Sequence, residues 1–207
     1  MPSRQPARCR RYFSEIASMN GSRLFLLLAV GLWTGTVRAQ EMTVELDPAK
    51  TRIEFTLAAT MHTVHGSFVL KHGTIRFDPS TRAASGVVVV DATSGSTDNN
   101  GRDRKMHREV LESQRYPEIT FTATKLSGKF ERQGDSTLQL AGRFKLCGAE
   151  HSITLEIPIQ VNGNRVSGHT HFVVPYVEWG LKNPSTLFLH VSDTVAVDIA
   201  ADGQLLP

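Results

Sequence analysis

His169-Thr170-His171 sets two imidazoles two residues apart, and in a strand the side chains at i and i+2 share one face. Such a pair is half of a zinc site. Zinc takes three or four ligands, and no third one stands at a metal-site spacing. The opposite face would carry Thr170, Phe172 and Val174, so the two histidines read as solvent-facing. His62 and His65, three apart in a loop-like stretch, could meet His107 only through the fold. No spacing ties those three together, so no metal is expected. The chain holds no H-E-x-x-H, G-x-S-x-G, phosphate-cradling glycine loop or C-x-x-C. Its carboxylates are scattered on the polar faces of strand-like segments, and nothing assembles a nucleophile, a base and an oxyanion site. The expected chemistry is binding, without catalytic residues or a cofactor.

The charge balance narrows the partners. Residues 1–39 hold six arginines and one glutamate out of 23 basic and 20 acidic side chains, so without them the net charge of +3 becomes −2. The basic character belongs to that leader, and no nucleic-acid partner is expected. Arg23 precedes the apolar run Leu24 to Trp33, and Val37 and Ala39 supply a small-residue exit before Gln40. This is the layout of a cleaved signal peptide, with Met19 an alternative start. A membrane anchor would need ~20 apolar residues, about twice this run. The expected organisation is a signal peptide over 1–39 and one domain over 40–207, periplasmic or secreted. Cys9 departs with the leader, which leaves Cys147 without an internal partner, an unpaired and dispensable thiol beside Gly148.

Along the mature segment, apolar and polar residues alternate. Ile53, Phe55 and Leu57 oppose Arg52, Glu54 and Thr56; Ile119, Phe121 and Ala123 oppose Thr120, Thr122 and Thr124. Leu138, Leu140, Phe144 and Leu146 form one row, and Ile153, Leu155, Ile157, Ile159 and Val161 another. Leu187 to Ile199 keeps phase through Leu189, Val191, Val195 and Val197. Weaker strands are predicted over 64–70, 73–78, 85–92 and 165–174. Asp78-Pro79, Asn162-Gly163-Asn164 and Asn183-Pro184 supply turns. Such strands, dry on one side and wet on the other, make an antiparallel sheet that must cover its dry face. An eight-stranded barrel does so without edges, and a two-sheet sandwich is the alternative.

One segment breaks the alternation. In Gly101 to Thr120 the charges crowd around Met106 and Val110, four apart, and Tyr116-Pro117 ends the run. The spacing predicts a short helix with Met106, Val110 and Leu111 toward an apolar interior and Arg104, Lys105, Arg108 and Glu109 toward water. It reads either as a cap over an oily cavity or as a crossover covering a sheet edge.

Thr97 to Met106, followed by Tyr116-Pro117-Glu118-Ile119-Thr120-Phe121, resembles the signature of the YceI-like proteins. Gly66-Ser67-Phe68 with Gly73 to Asp78 resembles that family's early hairpin. Gly142 to Gly148, Glu178-Trp179-Gly180-Leu181 and Val191 to Val195 are similar to its later motifs, in the same order. The resemblance implies an exported, lipocalin-like β-barrel that binds a polyisoprenoid or another long-chain lipid. It implies an interior lined by Phe55, Leu57, Phe68, Phe77, Phe121 and Phe144, with Leu155, Phe172 and Trp179. Met106 and Val110 would roof that interior. His62, His65, Arg102 and His107 are the candidates for a mouth or head-group site. Arg102 and Asp103 could form a structural ion pair or a helix-start cap, or Arg102 could offer paired donors to an anionic head group. The basic group Arg102, Arg104, Lys105 and Arg108 is a solvated face that could also touch an anionic membrane surface transiently. A histidine-dependent metal protein and a filled barrel serving as an interaction module are the competing readings, and monomer and dimer both fit.

The mature chain is expected to begin at Gln40, which N-terminal sequencing of the exported protein checks. A full-length chain retained in the inner membrane would overturn this.

Overall fold

The alternating segments become nine strands of one antiparallel sheet, seen in a computed structural model that describes residues 41–60, 62–187 and 189–206. The leader, Met19 and the cleavage site before Gln40 lie outside the described residues. The strands are β1 (Met42–Leu46), β2 (Arg52–Ala58), β3 (Thr63–Phe77), β4 (Ala84–Ser96) and β5 (Glu118–Gly128), followed by β6 (Gly134–Leu146), β7 (Ala149–Asn162), β8 (Arg165–Val174) and β9 (Val195–Leu206). Between β4 and β5 stand one short helix, α1 (Asn100–Lys105), and a π-helical turn over Met106–Val110. Among the described residues no helix is long and apolar enough to cross a membrane.

β1 and β2 share one position in the ring. Each pairs with both β3 and β9, β2 with the first half of β3 and β1 with its last residues. The other edge of β3 pairs with β4, which closes the sheet into an eight-position barrel and excludes the sandwich. Register shifts between Ser67 and Val69 and between Leu70 and His72 bend β3 so that it can serve both partners. The expected hairpin between 64–70 and 73–78 is therefore not formed: the two segments are one continuous strand. The chain instead turns at Asp78, whose carboxylate accepts from Ser80 N and Ser80 Oγ.

A second correction concerns the last strand. Its pairing starts at Val195; Leu187 and Leu189–Val191 stand outside the ladder, with an Ala59–Val191 bridge and a Thr60 N to His190 O bond reaching back to the end of β2. Leu187 is 91% exposed there, while Leu189 and Val191 turn inward.

The seam between β7 and β8 is only partly closed. Four residue pairs, from Ile159–Gly168 to Asn162–Arg165, join them at one end. Beyond these, β7 pairs only with β6, and β8 only with β9. The loop after β8 puts Trp179 against this seam, stacked on His151 at the start of β7 with ring centroids 4.0 Å apart.

Side-chain volume divides the interior into two levels. One end is packed solid by Met42, Ile75, Phe77, Phe121, Leu126, Leu140 and Leu155, with Phe130 from the β5–β6 loop folded edge-on over Phe77. Leu111, Leu146, Val174, Tyr176 and Leu181 form a separate cluster at the other end. His169 and His171 are exposed, as their phase requires, and both approach Asp198, with His171 Nδ1 at 2.8 Å.

Cys147 and Gly148 are the two-residue turn between β6 and β7, with φ of 49° and 83°. Two left-handed residues match the right-handed twist of a hairpin. For a cysteine that backbone costs roughly 1 kcal/mol. Its Sγ sits 3.2 Å from Leu111 O and 3.8 Å from Val110 O, which fastens the turn to the end of the helical segment. Burial, and secondarily Glu112, pushes the thiol up to about 11 from the ordinary 9.0. The thiolate is the reactive form, so two units mean about 100-fold less of it at neutral pH. Alkylation at pH 8 should run at least ten times slower than for a free peptide thiol, and Cys147→Ser should keep the melting temperature within about 4 °C. Fast alkylation, or a covalent dimer lost in that variant, would contradict this.

Candidate functional site

The half of the barrel that is not packed solid holds a cavity of about 560 Å³. Its wall comes from one end of the sheet: Phe55 and Leu57 of β2, Val64 and Phe68 of β3, Ile119 of β5, and Phe144 and Leu146 of β6. Val174 of β8 with Val195 and Val197 of β9 complete the ring. Phe55 and Phe68 lean on each other at 5.3 Å between centroids. A wall this apolar offers bound water few partners and favours an apolar occupant.

The roof is the helical segment. A π turn advances more slowly than an α turn, so residues four and five apart fall on one side, and Leu111 N donates to Met106 O across it at 2.9 Å. That geometry sends Met106, Val110 and Leu111 together onto the cavity, as the sequence spacing predicts. Gly95 on β4 makes room for the contact: a Cβ there would stand 2.6 Å from Phe68 and 2.9 Å from Met106. A second roof layer is the loop carrying Tyr176, Leu181, Pro184, Leu189 and Val191. Tyr176 Oη donates to Ser192 O at 2.7 Å, and burial, with Asp193 next, pushes its phenol up to about 12, so it stays a donor.

His107 fastens the roof to the barrel. Its Nε2 lies 2.8 Å from Gly95 O, and a carbonyl only accepts, so Nε2 carries a proton. In the neutral ring Nδ1 then accepts from Ser113 Oγ at 3.0 Å. His107 is therefore a clamp outside the cavity, not a mouth residue. His65 is also elsewhere, exposed beside Thr56 Oγ1 at 3.2 Å. Of the three histidines considered together, only His62 lines the cavity. Among the described residues no three His, Cys, Asp or Glu side chains are arranged to hold a metal ion.

Arg102 and Asp103 make neither a direct ion pair nor the cap. Asn99 is the cap, its Oδ1 accepting from Gly101 N and Arg102 N. Thr97, buried, stands between the two charges. Its N and Oγ1 donate to Asp103 Oδ1, while Arg102 Nε donates to Thr97 Oγ1 and Arg102 Nη2 to Thr97 O, both at 2.7 Å. Arg102 thus lies along the cavity edge with His62, Asn99 and Lys105. Lys105, expected in water, reaches over to donate to Pro184 O at 2.8 Å.

Several expected wall residues stand elsewhere. Phe77, Phe121 and Leu155 face inward but belong to the packed half. Phe172 and Trp179 are not among the cavity-lining residues; both pack against Phe144, at 6.1 and 5.8 Å between ring centroids. Val174, Val195 and Val197 share the phase of residues already recognised and could have been found. Tyr176 and Leu181 come from loops, where no period announces burial.

The chain matches the YceI-like domain along residues 45–202. No protein with curated function matches it. Among solved structures it is similar to BcnA of Burkholderia cenocepacia (TM-score 0.62, 14% identity), covering 78% of this chain and 99% of that one. It is similar to a polyisoprenoid binding domain from Saccharophagus degradans implicated in plant cell wall breakdown (TM-score 0.60, 17% identity), covering 78% and 97%. A Campylobacter jejuni YCEI protein aligns with TM-score 0.55 and 20% identity, covering 70% and 86%. At these identities the likeness is one of fold. The domain match, extending over most of the barrel and its roof, is what decides kinship: this chain belongs to the YceI-like family.

Proposed function

We propose that the protein is an exported, non-catalytic carrier that holds a polyisoprenoid or another long-chain lipid in its half-empty barrel. The observation that carries this reading is the apolar cavity of about 560 Å³, walled by strands and roofed by Met106, Val110 and Leu111. Its size is within the range of small-molecule sites, ~300–1,000 Å³. The similar fold from Saccharophagus degradans, described as polyisoprenoid binding, supports the choice of ligand class. The leader over 1–39 supports export to the periplasm or beyond. Leu187, fully out in solvent on the roof loop, and the basic side chains of the helical segment support transient contact with a membrane surface during loading.

Burial of a chain of ~20 carbons, at ~0.8 kcal/mol per CH₂, yields roughly 16 kcal/mol. Association and ordering cost ~4–15 kcal/mol, so a long chain binds with a net gain and a short one does not. Affinity should therefore rise with chain length until the cavity is full.

A prenyl or acyl lipid at about 100 times its dissociation constant stabilises by ~2.7 kcal/mol, which for a domain of this size raises the melting temperature by about 5–10 °C. Met106→Asp places a charge in the apolar roof and should weaken binding at least tenfold. Ala123→Phe, a substitution that sequence phase suggests for narrowing the cavity, falls in the packed half and should instead destabilise the fold. Melting curves of delipidated protein with and without lipid, and mass spectrometry of an organic extract of the exported protein, test the proposal. An unmoved curve together with an empty extract would leave the barrel without a cargo and sink it.

A further inference from the structure

We infer that the cargo enters and leaves sideways, through the seam between β7 and β8, with the Trp179 ring as its shutter. This rests on the carrier reading and adds a route to it. The ladder at that seam stops at Ile159–Gly168, one residue short of Pro158, which has no N–H to donate. Past that point the two strands are held together by side chains. The β4–β5 ladder is nearly as short, with five pairs, but Ala92 N to Pro117 O and Leu126 N to Arg82 O fasten it at both ends. Closure of the β7–β8 seam also shuts in polar atoms. Among the described residues three buried side-chain atoms have no hydrogen-bond partner, and two of them, His151 Nε2 and Thr170 Oγ1, belong to the seam strands. His151 lies near the far end of the open stretch of β7, and Thr170 stands two residues past the ladder on β8. A parted seam lets water reach both, which offsets part of the cost of opening.

Behind the seam the way leads to the cavity. Trp179, half-buried, stacks on His151 with the rings 5° from parallel, and packs against Phe144, which lines the chamber. Its loop is tight, with Trp179 N bonded to Pro175 O at 3.0 Å and Leu181 N to Tyr176 O at 2.9 Å, so the ring can swing while the backbone stays. The roof is the competing entrance, and it is bolted. His107 to Gly95, Lys105 to Pro184, Lys182 to Glu109 and Cys147 to Leu111 must all part before it lifts. The seam asks only that stacked rings slide, a contact with no directional bond to break.

The experiment bridges each entrance in turn with a short bismaleimide, in delipidated protein carrying Cys147→Ser. Thr154→Cys with Val173→Cys, both exposed and opposite each other in the continued register, ties the seam. Glu109→Cys with Lys182→Cys ties the roof. Entry and exit of geranylgeraniol and of oleate are followed by the fluorescence of Trp179, the single tryptophan of residues 40–207. Bridging the seam should slow both rates by about tenfold or more and leave the dissociation constant within about threefold, as a gate does. Bridging the roof should change either rate by less than about twofold. Trp179→Ala, read with tritiated ligand, should speed entry and exit together, and Trp179→Phe should restore part of the barrier. A merely structural role would move affinity or melting temperature and not the two rates in step. If the roof bridge slows exchange and the seam bridge does not, or if the two act alike, the inference is overturned while the carrier reading stands. If neither lipid binds the unbridged protein, that reading fails and takes the side entrance with it.

Discussion

Everything in this fold depends on β3 serving as the edge partner of three strands. A straight strand could not pair with β2 along its first half, β1 along its last residues and β4 along its other side. The bulges near Ser67 and Leu70 supply the bend, and with it the sheet closes and loses its free edges at that point. Closure creates an inside that must be either filled or left open. Aromatic and branched side chains fill one level of it completely, down to the Phe77–Phe130 contact. At the other level the same inward rows stop short of meeting across the barrel. The packed level gives the domain a core that does not rely on a ligand, and the open level is then available for one.

The roof shows how one interaction type passes information from strand to helix. His107 bonded to Gly95, Thr97 set between Arg102 and Asp103, and Cys147 against Leu111 all join the helical segment to a strand or a turn of the barrel. None of these contacts is a salt bridge; each uses a backbone carbonyl or a hydroxyl as the intermediary. Such bonds are little weakened by salt, so the roof should hold its place across ionic strengths that would loosen surface ion pairs.

Phase along a strand was the readable part of this chain. Phe55, Leu57, Phe121, Phe144 and Leu155 were recognisable as inward-facing because side chains alternate with a period of two. Height along the barrel axis has no such period, so Phe121 and Leu155 could not be told from Phe55 and Phe144 before the strands were aligned. The Leu187-Leu189-Val191 pattern misled for a related reason: alternation does not report strand pairing, and here a loop turns Leu189 and Val191 toward the cavity while Leu187 is exposed. His65 and His107 part from His62 because bonds to Thr56 on a neighbouring strand and to the distant Gly95 hold their rings elsewhere. A helical segment was legible through Met106 and Val110, since either helical period puts them on one side, but its π turn was not. Membership of the family was legible through motif order, and the two-level interior was not.

The half-zipped seam between β7 and β8 has a mechanical consequence. A fully laddered barrel is a stiff hoop, because widening it anywhere breaks backbone hydrogen bonds. Here the ladder from Ile159 to Asn162 acts as a hinge, and above it the gap is spanned by the stacked rings of Trp179 and His151 rather than by paired backbone. Stacked rings slide with little penalty where hydrogen bonds would snap. The girth of the barrel is thus adjustable on the one side where its open level lies, like a clip that yields to what it holds. A wall opened at this seam would widen without any strand leaving the sheet.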